Sequence, residues 1–343
     1  MAALEESSYK DLKVSRGFSY HYFASPSKER KPLLFLIHGF GAASQDWRHQ
    51  VPFFQSLGYG IIAPDCLNYG SSSVTEDPKQ LKFSLIAKDF VELLQHENAT
   101  RAVFIGQSGG SPLVSRISQL YPEVVIGSAF LGTPYSVPTP PPFDLDKLLR
   151  IQKEMYGYEL FGYWEFLGKD PDAGAIATEN FEALFNVTYP DDPKSWIRLF
   201  GPRGALKEYL LAGPEGVLPA PSWFPSDEDK RLQYSMVQTQ NLPNTFTYYT
   251  SYVDGTQSED GTLVPHDRYT LTKPTLFGYG AEDYIALPSM GKDIMTRFCT
   301  NLTIKEFAAN HWMHLHVPEE VNRVLLEWIT SFDTSAVYDV ESK

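Results

Sequence analysis

The sequence predicts an α/β fold, a mostly parallel, doubly wound sheet interrupted by an inserted and mainly helical cap. Continuous apolar runs at residues 33–37 and 124–131 read as strands buried on both faces, as in a parallel sheet. Such runs alternate with helical stretches, the grammar of strand–helix–strand units. The alternation stops at a cluster of prolines, Pro134, Pro138, Pro140, Pro141 and Pro142, and resumes only at about residue 273.

Residues 18–24 are expected to form a strand of an N-terminal hairpin. Lys31-Pro32 leads into the apolar run 33–37, which ends in His38-Gly39-Phe40-Gly41. A helix is expected over 46–57, a strand over 59–63 and a polar loop over 65–73. Residues 84–94 carry Leu85, Ile86, Phe90, Leu93 and Leu94 at helical spacing. Ala102-Val103-Phe104-Ile105 reads as a strand, residues 111–117 as a helix and 124–131 as the next strand. Aromatic, amphipathic and irregular segments without alternating strands follow. After them come a strand over 273–280, a helix over 289–298, a strand over 302–307 and a closing helix from about 318. The expected organisation is therefore core (1–135), cap (136–255) and core again (256–343), with no internal repeat.

Of the 343 residues, 43% are hydrophobic, enough for a sizeable core, and 14% are aromatic, which suits a ring-lined cavity. Lys+Arg number 29 against Asp+Glu 42, a formal net charge of −13 that argues against a nucleic-acid surface and for a monomer or homodimer. Cys66 and Cys299, each in an apolar stretch, are expected to be buried free thiols, which fits a cytoplasmic compartment. The first six residues show no apolar run of a signal peptide, no stretch approaches a membrane span, and the terminal Glu341-Ser342-Lys343 is no targeting signal. No cofactor and no metal is expected.

The chemistry centres on Gly106-Gln107-Ser108-Gly109-Gly110, a Gly-x-Ser-x-Gly turn between a strand and a helix. That context makes a nucleophile elbow, in which Gly106 and Gly110 leave room for crowded backbone and Ser108 is lifted above the sheet. Serine needs a base, and the chain order serine, acid, histidine is that of this type of site. Gly280-Ala281-Glu282-Asp283 follows a strand, and Ala308-Ala309-Asn310-His311 follows the last one. His311 is the expected base and Asp283 the expected acid, with Glu282 as its alternative. The amides of Gly109 and Phe40 are the expected oxyanion donors. His38 reads as structural, and His314 and His316 as surface or interface histidines.

Further motifs add a resemblance. His38-Gly39-Phe40 resembles a His-Gly-x-Pro oxyanion motif. Asp46-Trp47-Arg48 and Asp65-Cys66-Leu67-Asn68-Tyr69-Gly70 resemble two other signatures of the same family, and His311-Trp312 fits its catalytic histidine. The chain is similar, over nearly its whole length, to the epoxide hydrolase branch of the α/β-hydrolase superfamily. That resemblance implies two cap tyrosines that bind substrate, Tyr163 in Phe161-Gly162-Tyr163-Trp164 and Tyr249 in Phe246-Thr247-Tyr248-Tyr249. Trp164 joins them as a candidate substrate contact.

The departures lie at the centre. The family places Asp inside His-Asp-Trp-Gly, where this chain has Gln107-Ser108-Gly109-Gly110, and Gly41 stands for its proline. A carboxylate that opens an epoxide forms an ester, which activated water cleaves. A serine doing so would form an ether, which this site has no means to hydrolyse. Serine therefore calls for an acyl substrate, an ester, lactone, thioester or cleavable ketone. The expected activity is hydrolysis of a medium-sized apolar molecule through an acyl-enzyme, in specialised metabolism. The alternatives are a non-hydrolytic acid–base enzyme, for cyclisation, epoxide opening by an internal hydroxyl, isomerisation or C–C cleavage, and a receptor-like module with little turnover.

Overall fold

The structure is a computed structural model that describes residues 3–28 and 31–332, so the C-terminal tripeptide lies outside the described residues. Its eight strands are β1 (Tyr9–Lys13), β2 (Ser19–Ser25), β3 (Leu33–Ile37), β4 (Gly60–Pro64), β5 (Ala102–Gln107), β6 (Val125–Leu131), β7 (Thr275–Gly280) and β8 (Leu302–Phe307). They form one sheet in the order β1-β2-β4-β3-β5-β6-β7-β8. The pairings β1/β2 and β2/β4 are antiparallel, and every later pair is parallel.

Every residue of β3, β5, β6 and β7 is buried, which is why these strands read as unbroken apolar runs. One face is covered by α2 (Phe83–His96) and α3 (Ser111–Leu120), through Ile86, Phe90, Leu113 and Val114. The other is covered by α1 (Gln50–Ser56) and the closing helix Pro318–Thr330, through Val51, Phe54, Val321, Leu325 and Trp328. The helix expected over 46–57 is shorter than its pattern, because Ser44–Trp47 form a 3-10 turn and α1 begins at Gln50. Pro52 is the reason: it has no N–H to donate back to Arg48, so it is tolerated only in a first turn.

Between β6 and β7 the chain is helical: α4 (Leu145–Tyr156), α5 (Tyr163–Lys169), α6 (Ala173–Glu179), α7 (Phe181–Thr188), α8 (Trp196–Leu199), α9 (Ala205–Leu211), α10 (Asp227–Gln238), α11 (Leu242–Val253) and α12 (Thr256–Gly261). The last of these locks onto the core. Asp260 accepts from the amide (3.0 Å) and hydroxyl of Ser84, and Arg116 donates to the Asp260 carbonyl at 3.2 Å. Gln257 accepts from the Phe83 amide at 3.2 Å and donates to the Leu81 carbonyl at 2.8 Å, serving the first turn of α2. Among the described residues no helix is long and apolar enough to cross a membrane.

A buried polar network joins α10 to the core. Gln233 donates to Asp46 (3.0 Å) and to the Tyr189 hydroxyl (2.8 Å), and accepts from Arg48 at 2.9 Å. Arg48 also donates to Asp229 at 3.1 Å. His314 completes the network and corrects its reading as a surface or interface residue: it is fully buried, with Nε2 2.7 Å from Asp46. Burial would raise the Asp46 carboxyl, but the His314 and Arg48 beside it hold it below its ordinary value.

His49, whose Nε2 lies 3.0 Å from Asp229, is pushed down to about 4 by burial, helped by the Arg48 charge. The unfolded chain therefore takes up this proton first as pH falls. The stability His49 contributes is present above its ordinary 6.5 and is lost as pH falls toward about 4. Urea unfolding is expected to show a lower midpoint at pH 5 than at pH 7, and His49→Asn to narrow that difference.

Candidate active site

At the C-terminal end of β5 the backbone makes a turn that ordinary residues avoid. Ser108 has φ +48, and only Asn68 and Asn98 share a positive φ among the described non-glycine residues. The crowding that holds it there is visible at the glycines. A Cβ on Gly106 would lie 2.7 Å from the Gly110 carbonyl oxygen, and one on Gly110 would lie 2.2 Å from that of Ile37. Gly39 is equally constrained, since its Cβ would come within 2.8 Å of the Ser108 Cβ. The loop after β3 thus lies directly against the elbow. A Cβ at Gly109 would sit 3.5 Å from the Phe40 nitrogen, so the two residues expected to supply oxyanion donors are neighbours.

His38 is structural, as its position suggested. Its Nδ1–H donates to the Gly39 carbonyl at 2.8 Å and its Nε2 accepts from the Cys66 amide at 3.0 Å, which fixes the tautomer. Burial lowers its pKa, so the ring stays neutral and ties the loop after β3 to the loop after β4. Gly41 has φ +65, a conformation closed to proline, so this loop takes a path that a proline at 41 could not follow.

The loops after β7 and β8 bring the other two groups together. His311 Nδ1 lies 2.6 Å from Asp283 Oδ2. The second oxygen, Oδ1, accepts from the amides of Ile285 (3.0 Å) and Ala286 (2.8 Å), which orient the carboxylate. Asp283 is 1% exposed, whereas Glu282 is exposed and outside this contact. With Nδ1 committed to Asp283, Nε2 is the imidazole atom left for proton transfer. The ring is held edge-on by Trp196 and Trp312, at centroid distances of 5.7 and 5.1 Å. Those indoles donate in turn to the carbonyls of Val187 (2.5 Å) and Thr188 (2.9 Å) at the end of α7.

Ser108, Gly109, Phe40, His311, Tyr163, Tyr249 and Trp164 all line one cavity of about 150 Å³. Tyr163 and Tyr249 meet edge-on at 5.6 Å, and Tyr249 meets Phe40 at 5.4 Å. Burial raises both phenols, so they are hydrogen-bond donors at neutral pH. Trp164 stacks between Phe161 (4.8 Å) and Tyr252 (4.6 Å). Cys66, Tyr69, Tyr248 and Tyr252 also line the cavity, although nothing in their spacing marks them for it. Both thiols are free and buried as expected, although Cys66 and Cys299 lie just beyond β4 and the helix Pro288–Phe298.

Residues 32–186 match the family model described as alpha/beta hydrolase fold. An epoxide hydrolase of Neurospora crassa is 25% identical over 93% of this chain and 94% of its own length. The chain has the α/β-hydrolase fold, and these similarities support the epoxide hydrolase-like branch of that superfamily. Bifunctional epoxide hydrolase 2 of Sus scrofa is 25% identical over 87% of the chain, which spans only about half (51%) of that relative. Among solved structures, an epoxide hydrolase from an endophytic Streptomyces superposes with a TM-score of 0.78 at 24% identity, covering 94% of this chain and 95% of its own.

In this α/β-hydrolase the strain at Ser108 is a stability term separable from chemistry. Replacing Ser108 with Gly, which accepts φ +48, is expected to give a higher melting temperature than Ser108→Ala, by about 1–2 kcal/mol of relieved strain. Calorimetry of the two variants checks it.

Proposed function

We propose that this protein is a serine hydrolase of neutral acyl compounds, capped by the helical insertion between β6 and β7. The observation that carries the reading is a hydroxyl at the elbow together with the buried Asp283–His311 contact at 2.6 Å. Ser108 Oγ attacks the acyl carbon and its proton passes to His311 Nε2. The carbonyl oxygen takes negative charge beside the Phe40 and Gly109 amides. His311 then gives the proton to the departing oxygen, sulfur or carbon, leaving Ser108 acylated. Water adds to the acyl carbon with its proton going to His311, and Ser108 leaves as the alcohol. Asp283 orients the imidazole and offsets its charge in both halves.

Gly109 supports the acyl reading by leaving room beside the attacked carbonyl. The relatives' names speak for epoxide chemistry in those proteins. An ether on Ser108 would be a dead end, so the hydroxyl argues here for a carbonyl substrate. Turnover of an aryl ester such as p-nitrophenyl butyrate is expected to fall about a thousandfold or more in Ser108→Ala. Unchanged turnover would contradict the assignment.

The two buried phenols of Tyr163 and Tyr249, facing the same cavity, favour a second reading. There Ser108 and His311 act as acid–base groups while the tyrosines hold the oxygen of an epoxide opened by the substrate's own hydroxyl. Turnover in ¹⁸O-enriched water separates the two. Hydrolysis is expected to leave one solvent oxygen in the acid product, whereas internal opening would leave none.

A further inference from the structure

The cavity extends to both sides of Ser108, and its two sides differ chemically. Ser108 directly follows β5, with β4 two strands away on one side and β7 two strands away on the other. Cys66 and Tyr69 enter from the segment after β4, and Ile285, Ala286 and Met290 from the segment after β7. The β7 side is apolar. The β4 side receives three phenols, Tyr69 and, from α11, Tyr248 and Tyr252. Tyr69 and Tyr248 rings lie 5.7 Å apart, and Tyr252 packs on Phe83 at 5.7 Å.

One of these hydroxyls has no protein group to occupy it. The buried Tyr248 hydroxyl has no hydrogen-bond partner among the described residues. Tyr69, whose ring lies against that of Tyr248, is only 5% exposed. A buried hydroxyl without a protein partner is satisfied by water or by a ligand, and Tyr248 lies at the cavity wall. Burial raises all three phenols, so each offers a proton and a lone pair rather than a charge. No Asp, Glu, Lys or Arg lines the cavity among the described residues. Arg116 and Arg16, whose charges reach Tyr252 and Tyr248, are already paired with Asp260 and Asp89.

We infer that the β4-side arm is a recognition site for a neutral oxygen-bearing ring, a phenol or a ring ketone. The substrates are then oxygenated aromatic acyl compounds, not aliphatic esters or charged carriers. This deepens the proposed function and rests on it for the acyl half of the molecule. Such a substrate places its acyl carbon over Ser108, its ring oxygen among Tyr69, Tyr248 and Tyr252, and its apolar remainder toward Met290.

Three phenyl ketones test it, each with a butyryl chain and, para to it, a hydroxyl, a methyl or a carboxylate. They have no leaving group, so binding is read apart from turnover, by calorimetric titration of the intact protein and of Ser108→Ala. The hydroxyl ketone is expected to bind about fivefold tighter than the methyl ketone, the range of one neutral hydrogen bond, and the carboxylate weakest. Tyr69→Phe and Tyr248→Phe are each expected to shrink the hydroxyl preference, and the double variant to abolish it, with thermal melts confirming folded protein. Tyr252→Phe provides an independent arm if either fails to fold. Equal or tighter binding of the methyl or carboxylate ketone, or a hydroxyl preference untouched by these variants, overturns the inference. A preference that holds while p-nitrophenyl butyrate never acylates Ser108 would leave the arm standing and remove the hydrolase reading instead.

Discussion

The arrangement depends on one steric constraint, the close approach of backbone to backbone around Ser108. Three glycines let the end of β5, the start of α3 and the loop after β3 occupy space that a single methyl group would fill. That contact forces Ser108 into a left-handed conformation and brings Phe40 beside Gly109. The site is therefore built by the core of the sheet. Packing of β3, β5 and β6 stabilises the turn, and the strain is borne by a buried scaffold with little freedom to relax.

A second set of interactions decides where the insertion lies. Arg48, Asp229, Gln233, Asp46 and His314 form a buried network spanning the core and α10. Asn68 and the Gly70 amide bind Asn244 and Gln240 at 2.7 and 2.8 Å, so the loop after β4 is tied to the insertion as well. Buried charges are costly unless every partner is in place, which makes such a network a better device for specifying one docking geometry than for raising stability. The consequence reaches His311, because Trp312 and Trp196 bind the last two carbonyls of α7 while flanking the imidazole. The roof of the cavity and the proposed base are thus positioned by the same contacts.

Much of this was legible in the residues. Strands buried on both faces leave an unbroken apolar signature, and a Gly-x-Ser-x-Gly turn between strand and helix has few other uses. Asp283 and His311 could be picked out because both follow strands at the same edge of the sheet. What could not be read depended on partners far apart in the chain. His314 looked like a surface residue because Asp46, which buries it, is 268 positions away. The phenolic arm was invisible for the same reason: Tyr69 belongs to a polar loop, and only the docking of α11 brings Tyr248 against it and Tyr252 into the same cavity. The choice between Asp283 and Glu282 turned on side-chain direction, which spacing alone does not determine.

The central claim is that Ser108 is a nucleophile made competent by His311. Intact-mass analysis after exposure to a fluorophosphonate reads this directly, since the reagent bonds to a serine only where a base and an oxyanion site assist. One adduct per chain is expected, mapped by peptide sequencing to Ser108, absent in Ser108→Ala and formed far more slowly in His311→Ala. A folded protein that takes no label, or takes it at another residue, would contradict it.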